Sequence, residues 1–170
     1  MNDLDKALGI AMEMEKRGYD IYRQASGKTK NKFGQATLEA IADKELDHMK
    51  AIEEFSAKNL HLAIESIKVK EKNDYIRRIM EKLTGQLEKT TSGDADLRNA
   101  YEVAMKLEKE SYALYEKLGK QTSDSMAKQF FSFLMKEESN HYDLLSETLQ
   151  YLDRPGDWYR EKEKWIVEGG

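Results

Sequence analysis

Apolar residues recur three and four positions apart in four long stretches of the chain, the spacing of one helix face. The first carries Leu4, Leu8, Ala11, Met12, Tyr19 and Tyr22 and ends near Ser26-Gly27. The second begins after Thr29, read as its cap, with Leu38, Ile41, Met49, Ile52 and Phe55, and fades near Leu60. The third opens after Ser92-Gly93-Asp94 with Leu97, Ala100, Val103, Ala104, Leu107, Leu114 and Leu118. The fourth follows Thr122-Ser123 with Phe130, Phe133, Leu134, Leu144 and Leu145, and Pro155-Gly156 stops it.

Short turns join the first stretch to the second and the third to the fourth, so each pair is expected to be antiparallel. Between the pairs lies a connection of about 30 residues, long enough to return the chain to the other end of a bundle. Part of it has a helical pattern of its own, Ile76, Ile79, Met80, Leu83 and Leu87. The expected fold is all-α: an antiparallel four-helix bundle over residues 1–152, with a long helical crossover between helices two and three. Residues 153–170, with Trp158 and Trp165, are expected to pack on it as a tail; covering an open end of the bundle or a partner's surface is the other reading.

Composition narrows the function. Charged residues make up 35% of the 170, there is one proline, and the net charge is -4, so nothing points to nucleic acid. No apolar run approaches the roughly 18 residues needed to span a membrane. The charged, periodic N-terminus does not resemble a signal peptide, and a cytoplasmic location is expected. The chain has no cysteine, hence no disulfide, thiolate nucleophile or iron–sulfur centre of its own.

The chain also repeats itself. Shifted by 93 positions, "ALGIAMEMEKRGYDIY" from Ala7 falls on "AYEVAMKLEKESYALY" from Ala100. At the same offset Thr29 meets Thr122, Glu15 meets Glu108, Glu45 meets Glu138, and His48 meets His141. A glutamate three residues ahead of a histidine is common on solvated helix faces. Here the pattern occurs twice at one offset, uses two of only three histidines, and lies on the apolar stripe: Glu45 and His48 follow Ile41 by four and seven, and Glu138 and His141 follow Leu134 likewise. His61 stands outside both repeats and reads as a surface or packing residue.

Four carboxylates and two imidazoles therefore converge inside one bundle. Each unpaired buried ion would cost several kcal/mol, roughly. Two divalent cations balance the four negative charges. Carboxylate oxygens with imidazole nitrogens suit iron or manganese and admit zinc. The expected metal ligands are Glu15, Glu45, His48, Glu108, Glu138 and His141. One glutamate from each of two helices, with Glu-x-x-His from each of the other two, is the ligand pattern of ferritin-like di-iron carboxylate proteins. Tyr19, Tyr22, Tyr112 and Tyr115 fall within a turn or two of these ligands. They are either catalytic hydrogen-bond donors to a ligand or bound oxygen species, or simply core residues.

On "MEMEKRGYDIY", "DKELDHMK", "MKLEKESYALY" and "KEESNHYD" the chain resembles the rubrerythrin-type branch of the ferritin-like superfamily, over roughly residues 3 to 152. The resemblance implies two iron ions and reduction of hydrogen peroxide, or dioxygen, by electrons from a redox partner. Relatives that oxidise or store ferrous iron imply the alternative, an iron-handling protein with little peroxidase activity. A metal-free structural bundle is the third reading. Two features depart from the family pattern. The four-cysteine rubredoxin domain is missing, so a separate donor protein such as a rubredoxin is expected. The family's extra glutamate, three residues after the helix-three ligand, is replaced by Ser111, whose repeat mate is Gly18, which makes the expected site more symmetric. The expected assembly is a homodimer.

Overall fold

The computed structural model describes residues 3–57 and 95–154. Within them the four apolar stretches form four helices: α1 (Asp3–Lys28), α2 (Lys32–Ser56), α3 (Ala95–Gln121) and α4 (Ser125–Asp153). The crossover pattern at 76–87, His61, and the tail with Trp158 and Trp165 lie outside the described residues. Among those described, no helix is long and apolar enough to cross a membrane.

The helix starts correct the sequence reading by two residues. Asn31, not Thr29, caps α2: it is extended at φ -72°, ψ 114°, and its side chain accepts from the Gly34 amide. Thr29 stands just upstream and accepts from the Asn31 amide at 3.2 Å. The second repeat does the same. Asp124 caps α4 by accepting from the Met126 and Ala127 amides, and Thr122 accepts from the Asp124 amide at 3.2 Å. In each repeat the threonine orders the turn and the following Asn or Asp satisfies helix amides that would otherwise lack partners. At the far end of α4, Arg154 leaves helical geometry at φ -143°, as the residue before a proline must.

α1 packs on α2 and α3 on α4, and the two hairpins meet along α1/α3 and α2/α4. Leu4 and Ala7 at the start of α1 border the same groove as Leu118 and Gln121 at the end of α3, so these two helices run antiparallel. α2 therefore ends, and α3 begins, at opposite ends of the bundle. This is the arrangement the long connection was expected to serve.

Two apolar clusters fill the interior, one towards each end. The first gathers Leu8, Ala51, Ile52, Phe55, Leu118, Phe130, Phe131 and Leu134. The second gathers Leu38, Ile41, Leu97, Tyr101, Ala104, Leu107, Leu144 and Leu145. Val103 departs from the expected stripe: it is 48% exposed. Between the clusters lies a polar layer built by residues from the middle of all four helices.

Candidate metal centre

All six ligands expected from the sequence lie in that middle layer, and all are buried: Glu15 on α1, Glu45 and His48 on α2, Glu108 on α3, Glu138 and His141 on α4. The helical period dictates this. Each ligand continues a stripe whose other members fill the two apolar clusters, so the side chain turns inward with its neighbours.

Each histidine meets one glutamate of its own hairpin and one of the other. His48 Nδ1 lies 3.1 Å from Glu15 Oε2 and 3.5 Å from Glu138 Oε1. His141 Nδ1 lies 3.3 Å from Glu45 Oε1 and 3.7 Å from Glu108 Oε2. Each Glu-x-x-His glutamate thus faces the histidine of the other helix. The two imidazoles stack across the centre, ring centroids 5.2 Å apart and planes 16° from parallel. Ligand atoms of Glu15, Glu45 and His48 lie within 4.8 Å of one another, and so do those of Glu45, Glu108, Glu138 and His141. Glu45 belongs to both groups and is placed to be shared.

The tyrosines divide. Tyr22 on α1 donates to Glu108 Oε1 on α3, and Tyr115 on α3 donates to Glu15 Oε1 on α1. Both phenols are buried. Tyr19 and Tyr112 are not brought to the centre: Tyr112 is 40% exposed, and Tyr19 is half-buried against the cluster at its end of the bundle. Seven residues after a ligand the helix has returned to within roughly 20° of the same direction, whereas four residues leaves roughly 40°.

Glu137 was not anticipated. It is 4% exposed, and its Oε2 stands 3.9 Å from His48 Nε2, on the other side of the ring from Glu15 and Glu138. A carboxylate behind a histidine whose other nitrogen faces a metal position is a recurring partner of metal-bound imidazoles. The repeat comparison hid it, because its mate is Lys44.

The protonation pattern shows how strained this layer is as a bare polar cluster. Burial raises Glu45 well above the ordinary carboxylate range, with Glu15, Glu138 and Glu108 adding to it. Burial, then Glu108 and Glu15, do the same to Glu138. Burial also opposes the charge on Glu15, but His48 and hydrogen bonds with Glu45, His48 and Tyr115 outweigh it and hold Glu15 at about 2. His48 is pushed up to about 9, since Glu15 and Glu137 outweigh the burial that would lower it. Glu137, also opposed by burial, is held below its usual range by His48, His141 and Lys44. Burial, followed by the neighbouring carboxylates, keeps Tyr22 and Tyr115 protonated far above the usual phenol range.

These residues fit a metal pair. Glu45 Oε1, Glu108 Oε2, Glu138 Oε1, His48 Nε2 and both ring nitrogens of His141 are buried with no hydrogen-bond partner, and these residues belong to the expected ligand set. Unpartnered buried polar atoms are rare in folded proteins and call for an occupant. Glu15, Glu45 and His48 would hold one ion; Glu108, Glu138 and His141, with Glu45, the other. Glu137 adds a fifth negative charge nearby and Lys44 a compensating positive one, so two divalent cations still bring the layer near neutrality.

The family model described as Rubrerythrin matches residues 6–149. Comparison with curated proteins and with solved structures gives no match.

Proposed function

The chain belongs to the rubrerythrin family, and from that premise we propose that it is a di-iron carboxylate oxidoreductase. It reduces hydrogen peroxide, or dioxygen, with electrons from a separate donor protein such as a rubredoxin, and it works as a homodimer. The observation that supports this reading is the layer itself: buried carboxylate and imidazole atoms from four helices, several of them on α2, α3 and α4 without a hydrogen-bond partner, lie within 4.8 Å of one another in groups that cations would satisfy.

When bound, two ferrous ions supply one electron each and Lewis acidity toward an oxygen ligand. The chain's residues do the rest. Glu15 and Glu108 each have one oxygen fixed by a tyrosine from the other hairpin, and the second oxygen of each is turned to a histidine of the layer, where a cation would take it. Glu45 and Glu138 face both halves. Tyr22 and Tyr115 keep their protons at neutral pH and so act as fixed donors that orient the two glutamates. The apolar clusters above and below exclude bulk water, which strengthens every charge interaction between them. Reducing one peroxide to two waters takes up two electrons and two protons. With no cysteine among the 170 residues, the electrons in this reading come from outside them.

The test is anaerobic loading with two equivalents of ferrous iron, then stopped-flow mixing with peroxide. Rapid oxidation at two irons per peroxide, without loss of iron, is expected. Slow oxidation by peroxide, with continued uptake of ferrous iron under dioxygen, would favour the iron-handling alternative. Failure to take up any transition metal would leave only a structural bundle.

A further inference from the structure

The two cation positions described above leave one nitrogen of each imidazole unused. Nδ1 of His48 faces Glu15 and Glu138, and Nδ1 of His141 faces Glu45 and Glu108. Nε2 of each ring is buried and has no hydrogen-bond partner. Glu137, buried on α4, meets both rings: an oxygen of Glu137 and one nitrogen from each of His48 and His141 lie within 4.8 Å of one another. The helical period explains the grouping, since Glu137 precedes His141 by four residues and shares its face of α4. The ring of His48 arrives from α2 and stacks on that of His141, centroids 5.2 Å apart, which keeps both within reach of one ion. Glu137 Oε2 stands 3.9 Å from His48 Nε2, too far for a hydrogen bond. Zinc takes imidazole nitrogen and carboxylate oxygen at about 2.0–2.2 Å, so one ion spans that gap. Two imidazoles and one carboxylate are a donor set that zinc accepts, with water as the fourth ligand.

We infer that His48, His141 and Glu137 form a third cation site, which takes one divalent ion such as zinc through Nε2 of the two rings, and that this single-ion state excludes the pair. The site has donor atoms of its own; only the exclusion rests on the two-cation reading. A neutral imidazole offers a lone pair from one nitrogen and carries its proton on the other. With Nε2 on an ion, Nδ1 becomes a donor, and it already faces oxygens of Glu15 at 3.1 Å and of Glu45 at 3.3 Å. Those carboxylates then accept from N–H groups instead of holding cations. The choice of tautomer therefore selects between one ion and two. Lys44 also bears on the charge of Glu137, and its own ammonium pairs with Asp47 at 3.7 Å.

Zinc is diamagnetic, so NMR can read the ring nitrogens directly and without an activity assay. One equivalent of zinc is added to metal-free protein labelled with nitrogen-15 in its histidines. Long-range proton–nitrogen spectra should show His48 and His141 both bound at Nε2 and protonated at Nδ1. E137Q should weaken zinc binding about 100-fold in competition with a chromophoric chelator, the upper end of what a partner carboxylate behind a ligand is worth. Ferrous iron added after the zinc should not be taken up as a pair.

Binding of both rings through Nδ1 would overturn the inference and leave the two-cation reading intact, as would two ferrous ions bound beside the zinc. E137Q that holds zinc as tightly as the unmutated protein would also overturn it. Should E137Q fail to fold, the ring spectra of the unmutated protein decide. If no zinc binds, the third site fails, and ferrous loading of the same protein shows separately whether the two-cation reading fails with it.

Discussion

The two ends of the bundle use the same positions differently. Where α2 and α4 meet at one end, Phe55 and Phe130 stack with centroids 4.5 Å apart and planes 1° from parallel. At the other end the repeat-equivalent positions hold Thr148 and Thr37, whose hydroxyls approach to 3.4 Å and which bond back to Leu144 and Phe33 carbonyls. At these equivalent positions one end has two stacked rings and the other two hydroxyls, with the Phe33–Tyr151 edge-to-face pair one turn further out. Yet the ligand layer between them is nearly the same read from either hairpin. The centre must satisfy its own buried charges; the ends need only fill space, and many side chains can do that. Symmetry survives where the chemistry demands it and lapses where packing alone decides.

Breaking the ends should therefore show them unequal. Phe130→Ala removes a fully buried ring and its stacking partner's contact, and should cost about 3–5 kcal/mol of stability in urea titrations. Thr37→Ala at the equivalent place should cost nearer ~1 kcal/mol, the worth of a hydroxyl contact. Equal costs would mean that the two ends are packed alike after all.

The centre should respond to pH and metal together. In the metal-free protein Glu45 and Glu138 are raised above 4.5 and His48 is raised from 6.5 to about 9. The folded chain then binds more protons than the unfolded chain over that window. The stability these groups contribute is full at the acid end and is lost as pH rises towards about 9. Glu15, held at about 2, works the other way: its contribution is present above 4.5 and is lost as pH falls through about 2. Calorimetry of the metal-free protein should thus find the highest Tm on the mildly acidic side and a decline towards pH 9. Saturating divalent metal displaces those protons, so the gain in Tm should grow with pH. At a hundredfold excess over Kd the gain corresponds to about 2.7 kcal/mol for each ion bound. A metal-free Tm that climbs between neutral pH and 9 would contradict the buried charge pattern.

Gly18 and Ser111 sharpen the comparison inside the centre. A Cβ at Gly18 would stand 2.9 Å from Glu45 Oε2 and 3.2 Å from its Cδ, so any larger residue must push the shared carboxylate aside. Gly18→Ala should weaken metal binding about tenfold, ~1.4 kcal/mol, while the metal-free fold keeps or gains stability because alanine suits a helix interior better. Ser111→Ala, where a Cβ is already accommodated, should leave metal uptake unchanged. The smallest effects belong to the caps. Asp124 serves two amides and Asn31 one, so Asp124→Ala should cost about 1 kcal/mol and Asn31→Ala less.

Much of this was legible in the sequence. The four helices follow from apolar period, and the burial and convergence of the six candidate ligands from a single offset that repeats glutamate and histidine on inward faces. What stayed hidden depends on partners rather than faces. Period shows that Tyr22 points inward, but not that it reaches Glu108 on another helix. Glu137 sits beside a ligand and reaches back across α2/α4, and its unlike mate removed it from any search for repeats. Thr29 and Thr122 were recognised at the right turn, yet a threonine two residues ahead of Asn or Asp orders the turn and leaves the capping to the stronger acceptor. Val103 lies at the edge of its stripe, where period alone does not separate core from surface.

The crossed wiring sets the smallest unit that can hold this centre. One helical hairpin carries half of the donors and its own histidine–glutamate contact, but its histidine lacks the opposite hairpin's glutamate and its tyrosine has nothing to grip. Two copies of a single hairpin, set about a dyad, would restore every ligand and both phenols. Such a pair built from α1 and α2 would carry lysine at both of the places that hold Lys44 and Glu137 here. Joining two unlike hairpins in one chain is what lets the halves diverge.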